Sequence, residues 1–408
     1  MRKKPELLVP ANSLSVLKTA VNFGADAVYI GGEAFGLRAK AKNFSLEDMK
    51  EAVSYAHARN VKVYVTANIL AHNYDLKGVR AYFEELKKVA PDGLIIADPG
   101  VFMIAKEVCP EIERHISTQA NNTNYGTYNF WYGLGAKRVV SARELSLKEI
   151  AEIREHIPED MEIETFVHGA MCISYSGRCL LSNFMVGRDA NRGACTHPCR
   201  WKYSVVEETR PGEVMPVYEN ERGTFIFNSR DLCMIRHIPE LCAAGIDSFK
   251  IEGRMKTALY VATVARTYRK ALDDYFESAD TYRENLPLYE DLISQGTYRK
   301  YTEGFFFNKP QSDAQIYDSN TYVKEYTYLG TVLDVREQEA LFMQKNKFVK
   351  GDTIFIMKPD GRDVEAEVLG FTTEAGEERS SCPHPKEMLW VALSEKPEKG
   401  DILKMMTE

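Results

Sequence analysis

No stretch of this 408-residue chain approaches the roughly 20 apolar residues that a membrane span requires. Residues 1–6 (MRKKPE) are charged and lead straight into a strand-like run, without the apolar core of a secretory leader. Both absences lead to the expectation of a cytoplasmic protein with no membrane partner. Positive charge is lacking as well. The formal net charge is −7, which excludes nucleic-acid binding by bulk basicity and leaves a local basic groove open. The chain has no low-complexity tract and no HExxH pair, which argues against a helix-borne zinc peptidase site. Cysteine is sparse over most of the length. Of eight cysteines, Cys109 and Cys382 stand alone, and Cys172, Cys179, Cys195 and Cys199 crowd into one segment. Cytoplasmic thiols stay reduced, so such crowding points to metal or redox chemistry rather than to disulfides.

What is present over the first 255 residues is an alternation of two patterns. Short β-branched and apolar runs occur at 7–11, 27–32, 62–68, 93–98, 114–119, 138–144, 162–169, 225–231 and 248–254. Each is apolar along most of its length, as parallel strands are when both faces are covered. Between them lie helical periods. Residues 45–58 (SLEDMKEAVSYAHA) open on a serine cap with apolar positions three and four apart, and 146–156 repeat the pattern. Eight or nine units of this size fit a TIM-like (β/α)8 barrel better than an open doubly wound sheet, the alternative α/β arrangement. The strand ends carry Asn68, Asp98, Gln119, Arg143, Glu144, His168, Asp231, Glu252 and Arg254, all expected at the C-terminal mouth where barrel active sites lie.

Beyond Arg254 the pattern changes. Residues 257–276 read as one amphipathic helix, and 277–320 are tyrosine-rich with no strong period. From 326 onward short strands and Lys-Gly-Asp turns at 350–352 and 399–401 predict a small antiparallel barrel or sandwich. The expected division is a barrel over 1–256 with its cysteine segment at 164–233, a helical or irregular connection over 257–322, and a C-terminal β domain over 323–408.

Four thiolates can satisfy zinc or an iron–sulfur cluster. Only Cys195 and Cys199 have the close spacing of a zinc knuckle, and Cys172 and Cys179 are seven apart, which favours a cluster. Zinc, and buried or nucleophilic cysteine without a metal, remain alternatives. Cys242 lies in PELCAAG, whose pattern predicts a helix packed against the barrel, and Cys233 follows a strand end where a ligand would sit.

The run ETFVHGAMCISYSGRCLLS at 164–182, with ELLVPA, SARELSL, NSRDLC and FKIEGR elsewhere, resembles the collagenase-like peptidases, peptidase family U32. The resemblance covers most of the chain. Members of similar layout, the TrhP-type tRNA hydroxylation proteins, form 5-hydroxyuridine at the wobble position of tRNA. They depend on prephenate and an iron–sulfur cluster. By that resemblance a [4Fe–4S] cluster falls to Cys172, Cys179, Cys195 and Cys233, with Cys199 as the alternative ligand.

Prephenate is a small dicarboxylate, and guanidinium groups grip carboxylates. Arg38, Arg143, Arg178 and Arg254 are its candidate ligands, although Arg143 beside Glu144 and Arg254 near Glu252 also fit structural ion pairs. Arg188, Arg192, Arg200, Lys202 and Trp201 are candidates for holding RNA, or equally a solvated loop. His168, Glu144 and Glu252 are the candidate catalytic groups. The rival readings are a collagenase-like peptidase, with Cys172 or Cys179 as nucleophile and His168 as base, and a non-catalytic partner that pairs with a similar family member.

Overall fold

In the computed structural model the described residues are 3–36, 43–172, 174–201, 205–206, 214–215, 219–220, 223–224, 230–308 and 323–407. Strands β1 (Glu6–Pro10), β2 (Ala27–Gly31), β3 (Lys62–Ala67), β4 (Gly93–Ile96), β5 (Glu113–Ile116), β6 (Arg138–Val140) and β7 (Glu162–Ala170) run parallel, each beside the next. Helices α1 (Leu14–Asn22), α2 (Leu46–His57), α3 (Asn73–Val89), α4 (Pro99–Val108), α5 (Tyr125–Leu134) and α6 (Leu147–Glu155) alternate with them. After β7 comes the cysteine segment with α7 (Leu181–Val186). Two short antiparallel strand pairs follow, β8 (Val205–Val206) with β9 (Val214–Met215) and β10 (Glu219–Asn220) with β11 (Gly223–Thr224). Then come β12 (Asp231–Cys233), α8 (Ile238–Ala243) and β13 (Ser248–Ile251). Strand β13 pairs in parallel with both β7 and β1, closing an eight-stranded parallel barrel.

Local sequence explains these elements. All five residues of β2 and all four of β13 are buried, which is why they lack an alternating polar face. Ser45 and Ser146 each accept a bond from the N3 backbone and receive the reciprocal carboxylate, so α2 and α6 start where the caps predict. Of the run expected as a strand at 225–231, only Arg230 and Asp231 are described. Residues 225–229 lie outside the described residues, and β12 begins at Asp231 and pairs antiparallel with the end of β7. Among the described residues no helix is long and apolar enough to cross a membrane.

The chain divides into two compact units, Met1–Leu14 with Asp26–Arg254 and Tyr298–Tyr322, and Ser15–Ala25 with Met255–Thr297 and Val323–Glu408. The stretch read from sequence as a connection is thus shared between them. It contains α9 (Ala258–Glu277), α10 (Ala279–Glu284), α11 (Leu286–Ser294) and β14 (Tyr301–Thr302). In the second unit, Arg266 of α9 donates to Asp363 at 2.6 Å, and Lys404 donates to Gln295 and Asp363, each at 2.6 Å. There, β15 (Tyr326–Arg336), β16 (Glu339–Met343), β17 (Thr353–Met357), β18 (Asp363–Thr373), β20 (Met388–Leu393) and β21 (Ile402–Met406) close into a six-stranded antiparallel barrel, with β19 (Glu378–Arg379) paired to β18. Its interior is filled by Leu329, Phe342, Phe348, Ile356, Val368, Phe371 and Leu389.

The larger barrel carries charge inside its N-terminal end. Arg138, the first residue of β6, donates to Glu6 at 2.6 Å and Glu164 at 3.1 Å, and pairs with Glu162 at 2.6 Å. Lys250 donates to the other oxygen of Glu164 at 2.5 Å, while Tyr64 and Ser248 donate to Glu6. Burial raises the pKa of the Glu6 carboxyl, but Arg138, the Tyr64 hydroxyl and the field of His115 outweigh it and bring it from 4.5 to about 2. The unfolded chain therefore takes up this proton first on acidification. Stability from Glu6 is complete above about pH 4.5 and is lost as pH falls through about 2, on the order of 3 kcal/mol in all. The urea midpoint is expected to fall through that window, and Glu6→Gln to remove that part of the slope. An identical acid slope in wild type and variant would contradict this assignment.

Candidate functional site

At the C-terminal mouth, β7 changes partners. On one edge it pairs with β13 from Glu164 to His168, with a register irregularity between Lys250 and Ile251, and on the other it begins beside β6. Its end pairs with β12, which sets Cys233 opposite His168 and Leu232 opposite Gly169. Gly169 sits at φ +106°, and a Cβ there would lie 2.3 Å from the backbone oxygen of Glu252. Only glycine lets the two strands approach this closely. The His168 carbonyl accepts the Glu252 N–H at 2.8 Å. The His168 ring is buried, 5.5 Å from the Tyr301 ring, and Tyr301 stacks on Tyr298 at 4.6 Å.

Strand β12 is held by a buried pair. Arg299 donates to Asp231 through its backbone N–H at 3.1 Å and through Nη2 at 2.5 Å. Asp231, expected among the groups facing the mouth, is therefore committed to placing Cys233. Asp98 caps α4 by accepting the Val101 N–H, and Asn68 donates to Ser117. These polar strand ends position the loops.

Two arginines remain at the mouth itself. Arg143 lies 4.0 Å over the Phe166 ring, donates to the Ala170 carbonyl at 3.2 Å and stands 3.5 Å from the Glu252 carboxylate. Its carboxylate neighbour is thus Glu252, from another strand end, in addition to adjacent Glu144. Burial raises the pKa of Glu144, only partly offset by Arg143, so Glu144 holds a proton more readily than an exposed glutamate. Arg254 is buried and donates to Thr66 at 2.7 Å. A Cβ on Gly31 would come within 2.6 Å of the Arg254 guanidinium.

The cysteine segment is tied to the mouth at two points. Asn121 donates to the Ser176 carbonyl at 2.7 Å and accepts from Arg178 at 2.6 Å. Asp75 receives two bonds from Arg192, at 2.8 and 3.0 Å. Arg192 thus serves as an anchor of the segment, and Arg178 uses its Nε in the other anchor. Sequence reasoning missed Asn121, Asp75, Thr66 and Arg299. Their only signal is ordinary polarity, because each acts on a residue at least 55 positions away.

All eight cysteines are free thiols. Burial pushes the thiols of Cys242 up to about 12 and of Cys109 and Cys382 up to about 11, so these remain protonated. Cys172 and Cys195 are exposed, Cys109 and Cys382 are buried, and Cys179, Cys199, Cys233 and Cys242 are half-buried. The Cys195 sulfur accepts the His197 N–H at 3.4 Å and lies 4.0 Å from its Nδ1. Among the described residues no three His, Cys, Asp or Glu are gathered into a metal site. By type, the thiols of Cys172, Cys179 and Cys195 along one segment are ligands that a thiolate-bound metal centre uses, and Cys233 is held opposite His168 by strand pairing. Arg188 is half-exposed and Trp201 is exposed on the same segment. Arg38, Lys202 and the side chain of Arg200 lie outside the described residues.

The model of the family described as "Peptidase family U32" matches residues 12–316, and that of "Peptidase family U32 C-terminal domain" matches 324–404. The "tRNA hydroxylation protein P1" of Bacillus subtilis is 40% identical over 97% of this chain and 93% of its own length. The "Uncharacterized protease MJ0090" of Methanocaldococcus jannaschii is 42% identical over 74% of this chain and 73% of its own. A 23S rRNA 5-hydroxycytidine synthase of Escherichia coli is 33% identical over 94% of this chain and 56% of its own.

Proposed function

The chain belongs to peptidase family U32, and from that membership we propose that it hydroxylates RNA, with a uridine of tRNA as substrate, rather than cleaving peptides. The observation that carries this reading is the near full-length similarity, 97% of the chain, to a relative named for tRNA hydroxylation. The similarity to the archaeal relative named as a protease spans 74% of the chain. The finer form of the proposal is 5-hydroxyuridine at the wobble position, with prephenate as oxygen donor.

Placing a hydroxyl on C5 of uridine is a two-electron oxidation of the base. The thiols of Cys172, Cys179, Cys195 and Cys233 would hold a [4Fe–4S] cluster, with Cys199 as the alternative ligand. When bound, such a cluster supplies a one-electron carrier. Arg143 follows β6 and Arg254 follows β13, the two strands that flank β7, and they suit the two carboxylates of the donor. Phe166 and Thr66 hold these guanidinium groups in place. Glu144, with its raised pKa, is suited to hold and release a proton, and His168 and Glu252 line the same mouth.

Gly31→Ala tests the arginine assignment. The clash falls on the end of a flexible side chain, so the fold should tolerate it, while Arg254 must move. The expected result is a roughly tenfold rise in the apparent KM for prephenate, about the 1.4 kcal/mol lost from one weakened charge-assisted contact, with Tm nearly unchanged. An unchanged KM would remove Arg254 from the donor site. The function itself is tested by mass spectrometry of tRNA from a deletion strain with no second homologue. Loss of 5-hydroxyuridine derivatives, restored by the intact gene, is expected. Unchanged levels, with collagen peptides cut by the purified protein, would return the peptidase reading.

A further inference from the structure

Helix α7 is built inside out. Its buried residue is Ser182, whose hydroxyl accepts the Thr196 N–H at 3.1 Å. Its outward residues are Phe184, Met185 and Val186, preceded by Leu180, with Phe184 86% exposed and Leu180 65% exposed. An exposed apolar cluster of this kind on a surface loop marks a contact surface. Gly187, at φ +64°, ends the helix, and Arg188 follows it, while Arg178 stands on the other flank. Residues 172–201 carry four arginines against one acidic residue, Asp189, in a chain of net charge −7. The Asp189 carboxylate is already occupied by the Asn191 N–H at 2.7 Å.

We propose that the exposed face of α7, Leu180 and Phe184 flanked by Arg178 and Arg188, is a docking platform for unstacked bases of single-stranded RNA. The inference rests on the RNA reading above and deepens it. A partner for this surface has to offer flat apolar faces and negative charge together, and a looped RNA strand does so, with its bases splayed and its phosphates beside them. A second copy of the chain would bring the same arginine-rich segment face to face with itself, setting like charges together. Duplex RNA hides its base faces and could engage only the arginines.

The test is fluorescence anisotropy of the purified full chain with a labelled RNA hairpin bearing an open loop, and with a blunt duplex of the same stem. Phe184→Ser is expected to weaken loop binding about tenfold, the loss typical of one base stack, and to leave the weaker duplex binding unchanged. Phe184→Trp should bind the loop as wild type does. Because Phe184 is so exposed, Tm should not move in either variant. Loop binding by Phe184→Ser equal to wild type would overturn the platform and leave the RNA function standing. A wild-type dimer that Phe184→Ser converts to monomer would assign the face to self-association and overturn it as well. No binding of either RNA by the wild type, with unchanged tRNA in the deletion strain, would overturn both the platform and the function.

Discussion

Alanine in place of Cys172, Cys179, Cys195 or Cys233 is expected to abolish iron binding and the hydroxylated nucleoside together, whereas Cys242→Ala leaves both intact. The contrast follows from the state of the thiols. The ligand of a metal is the thiolate, and burial that lifts a thiol to about 12 keeps Cys242 protonated and unavailable. Solvent reaches all four proposed ligands at least in part and Cys242 to an intermediate degree as well, so the contrast rests on the raised Cys242 thiol and on its place in α8, outside the thiol-rich segment. Cys233 is additionally held opposite His168 by strand pairing, so its position is set by the end of β7 rather than by the loop. A [4Fe–4S] cluster that loses one of four ligands is expected to lose its visible absorption and most of its iron. The protein should be purified without oxygen, and its absorption, iron content and Tm measured together. Tm of the second unit should stay within a few degrees, separating cluster loss from unfolding. Cys199→Ala decides the remaining ambiguity: retained colour assigns the fourth place to Cys233, and bleaching with Cys233→Ala still coloured reverses the assignment. Full colour and iron in all four variants would sink the cluster proposal, and one bound zinc would replace it.

Arg138→Met is expected to cost about 3–5 kcal/mol, the usual result of removing one partner from a buried ion pair. Its guanidinium is the shared cation of Glu6, Glu162 and Glu164. Without it Glu6 keeps only the Tyr64 and Ser248 hydroxyls as described partners, and Glu164 keeps Lys250. Lys250→Met should cost less, because Glu164 retains Arg138. Urea denaturation at neutral pH gives both values, and a loss under 1 kcal/mol for Arg138→Met would show that the network is neutral to stability. All these groups lie at the N-terminal end of the barrel, the end associated with stability rather than catalysis.

How readable the molecule was depended on the range of the interactions. The capping boxes at Ser45 and Ser146 involve residues three apart, and the helices start at those positions. The apolar runs became strands because burial on both faces leaves an unbroken signature. Strand β18, a half-exposed strand of eleven residues, leaves a weaker signature because its buried positions are interrupted by exposed ones. The 225–231 run carried the same apolar signature as the barrel strands, yet the eighth barrel strand is β13. Pattern alone does not say which of two apolar runs closes a barrel, since closure depends on pairing with β1 and β7 at once.

The candidate site divides in the same way. The crowding of cysteines, the βα rhythm and the arginines at strand ends are one-dimensional facts, and they were enough to place a barrel, a thiol-rich loop and a small β domain in order along the chain. The roles of individual side chains were not. Asp231 turned from a mouth carboxylate into the partner of Arg299, 68 residues away. Arg192, a candidate for RNA, proved to be tied to Asp75 across 117 residues. Arg143 found Glu252 in addition to the adjacent Glu144. Each outcome rests on a contact that the chain makes only once the barrel closes, because the energy of an ion pair depends on distance in space and carries no mark in the local sequence.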